Sequence, residues 1–196
     1  RRQRQMCIRD RNKIQLCEEL NIPKDAILIL SVGELNANKN HKIVIEILPE
    51  LPNNVHYLMC GDGQLKEQHE RLAKKLHVSD RLHFLGYRKD VIKIMKSCDI
   101  FVFPSKREGL SVALMEAMAC GLPCVVSKIR GNEDLIENEK GGYCVDLENE
   151  SFNIYINKIL ELDLSRSMAA FNYNKVSNYS IKKVNLKMRE IYERNE

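Results

Sequence analysis

The sequence has no apolar run approaching the roughly 18 residues of a membrane-spanning helix, which excludes a chain held in a bilayer by that device. It has little excess charge. Its 31 Lys and Arg against 27 Asp and Glu leave +4, too small a surplus to mark a nucleic-acid partner. A small anionic ligand or an anionic membrane surface fits that surplus equally well. The seven cysteines, at 7, 17, 60, 98, 120, 124 and 144, contain no C-x-x-C pair, and most stand beside apolar residues. That usage points to reduced thiols in a cytosolic protein. Cys120 and Cys124 bracket Gly121 and Pro123 without a matching second ligand pair, so no zinc site is expected. The opening "RRQRQMCIRDR" has no initiating methionine and leads into no apolar signal segment, so the chain reads as a piece of a longer protein. Its arginine cluster fits a solvated helix face better than a phosphate or membrane contact.

What is present is an ordinary globular composition, 44% apolar and 30% charged, at a length of 196 residues that suits one domain with extensions. "AILILSVG" is a buried strand ending in glycine, and Ile43, Ile47 and Leu51 then recur at helical spacing. "NVHYLMCGDG" repeats the design, with Leu65, Leu72 and Leu76 on the following helix. "RLHFLGY" is followed by the stripe Val91, Ile94, Met95 and Cys98. "DIFVFP" precedes a helix expected from about Leu110 to Cys120, and "PCVVS" and "GGYCV" flank a short helix near Glu133 to Glu137.

This alternation predicts an α/β domain with a doubly wound, Rossmann-like parallel sheet, covered on both faces through right-handed crossovers. We divide the chain into an N-terminal helical linker or extension (1–20), a Rossmann-like domain (21–150) and C-terminal helices (151–196). In the last, Ile154, Ile156, Ile159 and Leu160 suit one helix. Ile181, Val184, Met188 and Ile191 suit another, capped by Ser180.

In such a sheet ligands bind at the carboxyl ends of the strands. Three loops mark that end: "GELNANKN", "GDG" and "SKREGLS". "GDGQLK" lacks the third glycine of a dinucleotide fingerprint, since Lys66 stands in its place, and reads equally as a tight turn whose Asp62 caps a helix.

The stretch "REGLSVALMEA" carries two glutamates, Glu108 and Glu116, eight positions apart. On one helix their backbones would be roughly 12 Å apart, beyond the roughly 5 to 9.5 Å of a glycosidase acid and base pair. A phosphate at the helix N-terminus fits better, approached by the amides of Gly109, Leu110 and Ser111, with one carboxylate accepting from hydroxyls on either side. A nucleotide sugar has that layout. Taken alone, the pair also fits a capping Glu108 and a solvated Glu116.

With "SVGELNANKNH", "MCGDG", "HFLGYRKDV", "SKREGLSVALMEAMACGLPCVVS" and "RGNEDLI" in order, the chain resembles the C-terminal domain of a family 4 retaining glycosyltransferase of the GT-B fold. The likeness runs from about residue 21 onward, and the glutamate spacing matches that family's E-x7-E motif. The resemblance implies that Glu108 meets donor-sugar hydroxyls, Glu116 the ribose and Lys39 the diphosphate, with Glu108 and Lys39 as the catalytic groups. Gly33, Gly61 and Gly109 to Ser111 would line the nucleotide, and Tyr87 and Arg88 would flank the base. Glu34 stands where the family commonly has a second phosphate-binding arginine.

The resemblance further implies a UDP-sugar donor, no cofactor, no metal and no nucleic acid. It implies a missing N-terminal acceptor domain, a cytoplasmic location with peripheral membrane contact in the full-length protein, and hexosyl transfer to a saccharide or lipid-linked acceptor in surface polysaccharide synthesis. This domain alone would be inactive in transfer. A nonenzymatic nucleotide-binding module and a GT-B sugar-nucleotide epimerase are the alternatives, and the glutamate motif argues against the latter.

Overall fold

The computed structural model describes residues 2–162 and 164–186. Six parallel strands form one sheet: β1 (Ile27–Val32), β2 (Val55–Cys60), β3 (Leu82–Gly86), β4 (Ile100–Phe103), β5 (Cys124–Ser127) and β6 (Gly142–Val145). Their spatial order is β3-β2-β1-β4-β5-β6, the doubly wound Rossmann arrangement expected from the alternation of elements. The chain builds outward from β1 through β2 to β3, then crosses over to β4 and builds outward the other way. The reversal leaves a crevice between the ends of β1 and β4, which pair through Ile29 with Ile100 and Leu30 with Phe101.

Burial on both faces explains the near-continuous apolar strands. Along β1 the side chains alternate: Ile29 joins one core cluster, and Leu28 and Leu30 join the other. Helices α2 (Lys42–Ile47), α3 (Lys66–Lys75) and α7 (Asn149–Glu161) cover the first face. The second is covered by α1 (Arg2–Leu20), α4 (Val91–Ser97) and α5 (Val112–Ala119), and α8 (Ser165–Val176) lies against α5.

All six expected strands are present; the helices depart from expectation in several places. Helix α2 ends at Ile47 and gives way to a 3-10 turn over Leu48–Glu50, because Pro49 cannot donate to a continuing α-helical ladder. The short helix before β6, α6, spans Arg130–Glu133, earlier than Glu133 to Glu137, although helical hydrogen bonds run on as far as Ile136. Its start is fixed by Asn132, whose amide donates to the Ser127 carbonyl (2.9 Å) and hydroxyl (3.1 Å). Asp62 does not cap α3; it accepts from the amide of Gly63 at 2.8 Å. On α7 the buried residues are Phe152, Ile156 and Ile159, while Ile154 is exposed.

Helix α1 packs along α4 and buries Leu16 and Cys17 in the core. Lys13 reaches Asp99 at 2.7 Å, and Asp99 also accepts from the amide of Leu28, so α1 is tied to the first residues of the sheet. Helix α8, which apolar spacing does not announce, docks through a polar side chain: the buried Asn172 donates to the carbonyls of Leu122 (2.8 Å) and Gly141 (2.7 Å). A helical stretch over 181–186 follows, with Ile181 and Val184 exposed and the Val184 amide bonded to the Ser180 carbonyl. Met188 and Ile191 lie outside the described residues.

Candidate donor-binding site

The crevice between β1 and β4 is walled by the loops that leave those strands. After β1, Gly33 turns the chain away with φ +154°, a conformation favouring glycine, and its Cα lies under the Lys39 side chain. Asn36 then shapes the loop: its side-chain oxygen accepts from the amides of Asn38 and Lys39, both at 3.0 Å. This turn aims Lys39 back over the sheet. Asn38 stitches the first loop to the second, donating from its amide group to the Arg107 carbonyl (2.9 Å) and accepting from the Lys106 amide (2.8 Å).

The Lys39 ammonium meets Glu108 Oε1 at 2.7 Å and lies 4.6 Å from the centroid of the Phe103 ring, at the end of β4. Their side chains are 19% and 15% exposed, so the pair is largely covered yet opens on the crevice. Beyond it, Gly109 and Leu110 are exposed, and a Cβ on Gly109 would meet nothing within 4 Å, so the space over the turn is open. Ser111 is the N-cap of α5, with its hydroxyl accepting from the Leu114 amide at 3.4 Å. The positive end of the α5 dipole lies at this open turn, where an anion is favoured. Glu116 lies one turn into α5, half-buried, and its side chain makes no hydrogen bond or ion pair among the described residues.

Two close backbone approaches hold these walls. A Cβ on Gly61 would fall 2.0 Å from the Gly33 carbonyl oxygen, and one on Gly131 would fall 2.1 Å from that of Gly109. The "GDG" segment is therefore a turn packed against the β1 loop, and the amide of Leu35 bonds the Asp62 carbonyl at 3.0 Å. Behind Lys39 runs a buried polar chain: His41 Nδ1 to the Tyr57 hydroxyl (3.0 Å), Tyr57 to the Ser31 hydroxyl (2.9 Å), and Ser31 to the Val102 carbonyl (2.6 Å). Burial, and then the neighbouring His69, lowers the His41 pKa from 6.5 to about 3.

Of the residues predicted from sequence, Gly33, Lys39, Glu108, Gly109, Leu110 and Ser111 gather at the crevice. Glu34 is exposed and accepts from its loop neighbour Asn36 at 2.9 Å. Tyr87 and Arg88 follow β3, two strands from β1 and so about 10 Å across the sheet. Tyr87 is 85% exposed. The Arg88 guanidinium is held by Asp90 (2.8 Å) and by Glu19 of α1 (2.5 Å), and hydrogen bonds to these carboxylates push its pKa up. Asn36, Asn38 and Phe103 are the contributors that sequence reasoning missed. The asparagines at alternate positions of "NANKN" were the available signal, because asparagine bonds its own turn.

Among the described residues no group of three or more His, Cys, Asp or Glu is placed to hold a metal ion, and no helix is long and apolar enough to cross a membrane.

A Rossmann-like sheet with a cation, a carboxylate and a helix N-terminus converging at its switch point is an arrangement that can receive a phosphorylated ligand. Residues 12–176 match the family described as "Glycosyl transferases group 1", and the chain belongs to it. It is 31% identical over 191 residues to the Escherichia coli "UDP-Gal:alpha-D-GlcNAc-diphosphoundecaprenol alpha-1,3-galactosyltransferase", covering 92% of this chain and 49% of that protein. Among solved structures, Anabaena Alr3699/HepE in complex with UDP and glucose superposes with a TM-score of 0.84 at 24% identity, over 93% of this chain and 52% of that one. The C-terminal domain of a glycosyl transferase group 1 family protein from Francisella tularensis superposes with a TM-score of 0.76 at 19% identity, over 86% and 93%. The fold is thus one half of the GT-B architecture. The chain spans about half the length of the E. coli and Anabaena proteins.

Proposed function

We infer that this chain is the donor-binding half of a retaining glycosyltransferase, which holds a UDP-sugar at the β1/β4 crevice and presents the sugar to an acceptor on a second domain. The observation that carries the reading is the Lys39–Glu108 pair, 2.7 Å apart beside the open first turn of α5. The name of the E. coli relative, a UDP-Gal-dependent enzyme acting on a diphosphoundecaprenol-linked sugar, supports a UDP-sugar and a lipid-linked or saccharide acceptor. The Anabaena structures with UDP and with UDP-glucose support the same donor class.

In this reading the α5 amides and the Lys39 ammonium take the diphosphate. As the bond to the sugar breaks, negative charge grows on the departing phosphate oxygen, and a fixed cation beside it stabilises that charge. Glu108 accepts hydrogen bonds from sugar hydroxyls and so orients the ring. Glu116, on the adjoining turn, accepts from the ribose, and the β3 loop at Tyr87 flanks the base. Retention, the absence of any metal requirement and a peripheral cytoplasmic location belong to the same proposal.

UDP at saturation is expected to raise the melting temperature, because a ligand that binds only the folded state stabilises it by mass action. Glu116→Gln is expected to weaken UDP roughly 10- to 150-fold, the loss of a hydrogen bond to a charged acceptor. Equal melting temperatures with and without UDP, GDP and ADP would remove the donor site. Radiolabelled donor incubated with the full-length protein and acceptor separates a transferase from a pure binder.

A further inference from the structure

We propose that His56 and His83, at the end of the sheet away from the donor crevice, form a two-imidazole site for a divalent transition metal of square or octahedral preference, with nickel(II) as its probe. The site lies outside the donor reading and does not depend on it.

His56 is the second residue of β2 and His83 the second of β3, so both stand near the amino ends of their strands. In the parallel ladder His83 lies opposite Leu58, which makes the two histidines diagonal neighbours on one face of the sheet. Nδ1 of His56 is 3.0 Å from Nε2 of His83, with ring centroids 5.3 Å apart and planes inclined by 26°. His56 is 6% exposed, whereas His83, on the edge strand, is half-buried and reaches water. Burial lowers the pKa of both rings, that of His83 to about 4. Near pH 7 both are therefore neutral, and each keeps one nitrogen lone pair for a metal.

The spacing selects the coordination geometry. Imidazole nitrogens bind about 2.0 to 2.1 Å from a metal ion, so two of them lie roughly 2.9 Å apart at a right angle and roughly 3.4 Å apart at the tetrahedral angle. The 3.0 Å observed falls near the right angle. Right angles suit copper(II) and nickel(II), and tetrahedral angles suit zinc. Aiming both lone pairs at one ion takes a change of tautomer and a turn of roughly 40° in each ring from the hydrogen-bonded direction. Water reaching His83 supplies the remaining ligands. Two charged neighbours act on the pair. Asp80, exposed on the 3-10 turn Ser79–Arg81, favours positive charge at both rings. Arg81 opposes it at His56, but its guanidinium is fixed on the carbonyls of Leu48, Leu51 and Pro52. A bound ion would cross-link the edge strand β3 to β2 and leave the carboxyl ends of the strands untouched.

The test is nickel(II) titration of this chain, reduced and without a histidine tag, at about pH 7.5 and without nucleotide. Paramagnetic broadening in NMR spectra of the imidazole rings should strike His56 and His83 before the other three histidines. Calorimetry should find one such ion per chain. His56→Ala and His83→Ala should each weaken it at least 10- to 100-fold, since losing a ligand costs no less than losing a ligand's outer partner. His77→Asn, at an exposed histidine, should leave it within about twofold. Equal affinity in the parent and the two alanine variants, or broadening that begins at another histidine, overturns the site. Zinc perturbing the same two rings at lower concentration than nickel overturns the geometry assigned to it. If the alanine variants fail to fold, the ring signals of the parent decide the question alone.

Discussion

Lys39 and Arg88 are both cations in loops at the carboxyl ends of strands, both bonded to carboxylates, and both expected from sequence to serve the ligand. Their surroundings differ. Lys39 has one carboxylate partner, a ring beneath it and a glycine under its stem, at the point where the sheet reverses direction. Arg88 is shared between Asp90 of its own loop and Glu19 of α1, at the edge of the sheet. Its donors are spent on holding α1 against the β3–α4 corner. We propose that Lys39, a cation with donors to spare facing a crevice, serves a ligand, and that Arg88, forked between carboxylates of two elements, serves as a clasp.

Substitution of the two cations is the sharpest way to break this contrast. Lys39→Met should weaken UDP roughly 100-fold in titration, the loss of a charge-assisted bond to a dianion. Arg88→Met should leave UDP within about twofold. Comparable losses in both variants would erase the distinction.

The next effect concerns what backs each cation. The buried His41 behind the Lys39 loop stays neutral in the folded chain down to about pH 3, whereas unfolded histidine takes up a proton near 6.5. Between those values the unfolded state binds more protons. Stability from this group is therefore full above pH 6.5 and is lost as pH falls through the window, by up to about 1.4 kcal/mol per pH unit. Denaturant titrations from pH 7 to 4.5 should show the decline, and His41→Asn should reduce its slope, with His56, His69 and His83, also lowered by burial, keeping the remainder. An equal slope in that variant would assign the loss to other groups.

A smaller change is expected when the clasp is opened. Arg88→Met removes partly exposed ion pairs, worth about 0.5 to 1 kcal/mol together, and should lower the melting temperature by about 1 to 4 °C. Amide exchange should quicken along α1 more than along α5; uniform protection would show that the core, through Leu16 and Cys17, holds the helix without the clasp. The smallest expected effect is none. UDP affinity should not change in EDTA, because Lys39 and the α5 amides are proposed to meet the diphosphate without a divalent ion. A large loss restored by magnesium or manganese would refute that.

The fold was largely legible because five of the six strands are short apolar runs closed by glycine, proline or serine, with β6 running into Asp146, and a doubly wound sheet buries both faces of its strands. Helix α8 was not, because its anchor is a polar side chain: Asn172 reaches two backbone carbonyls, a contact that leaves no apolar period. Ile154 misled for the converse reason. It is apolar and near the helical stripe, but its face is left uncovered by the described residues, and it stands 52% exposed.

By itself, the sequence determined the class of the fold, the strands and the loops that carry the site, since these follow from periodicity and from residues with special backbone chemistry. It marked the two glutamates through their spacing and Gly109 through its place before a helix, and Lys39 through the family resemblance. Tertiary structure alone decided which charges meet. Lys39 and Glu108 are 69 positions apart, as are Glu19 and Arg88, and nothing local distinguishes the first pair from the second. The difference arises because β4 returns to lie beside β1 and opens a crevice under one pair, while α1 folds over the β3–α4 corner and closes on the other.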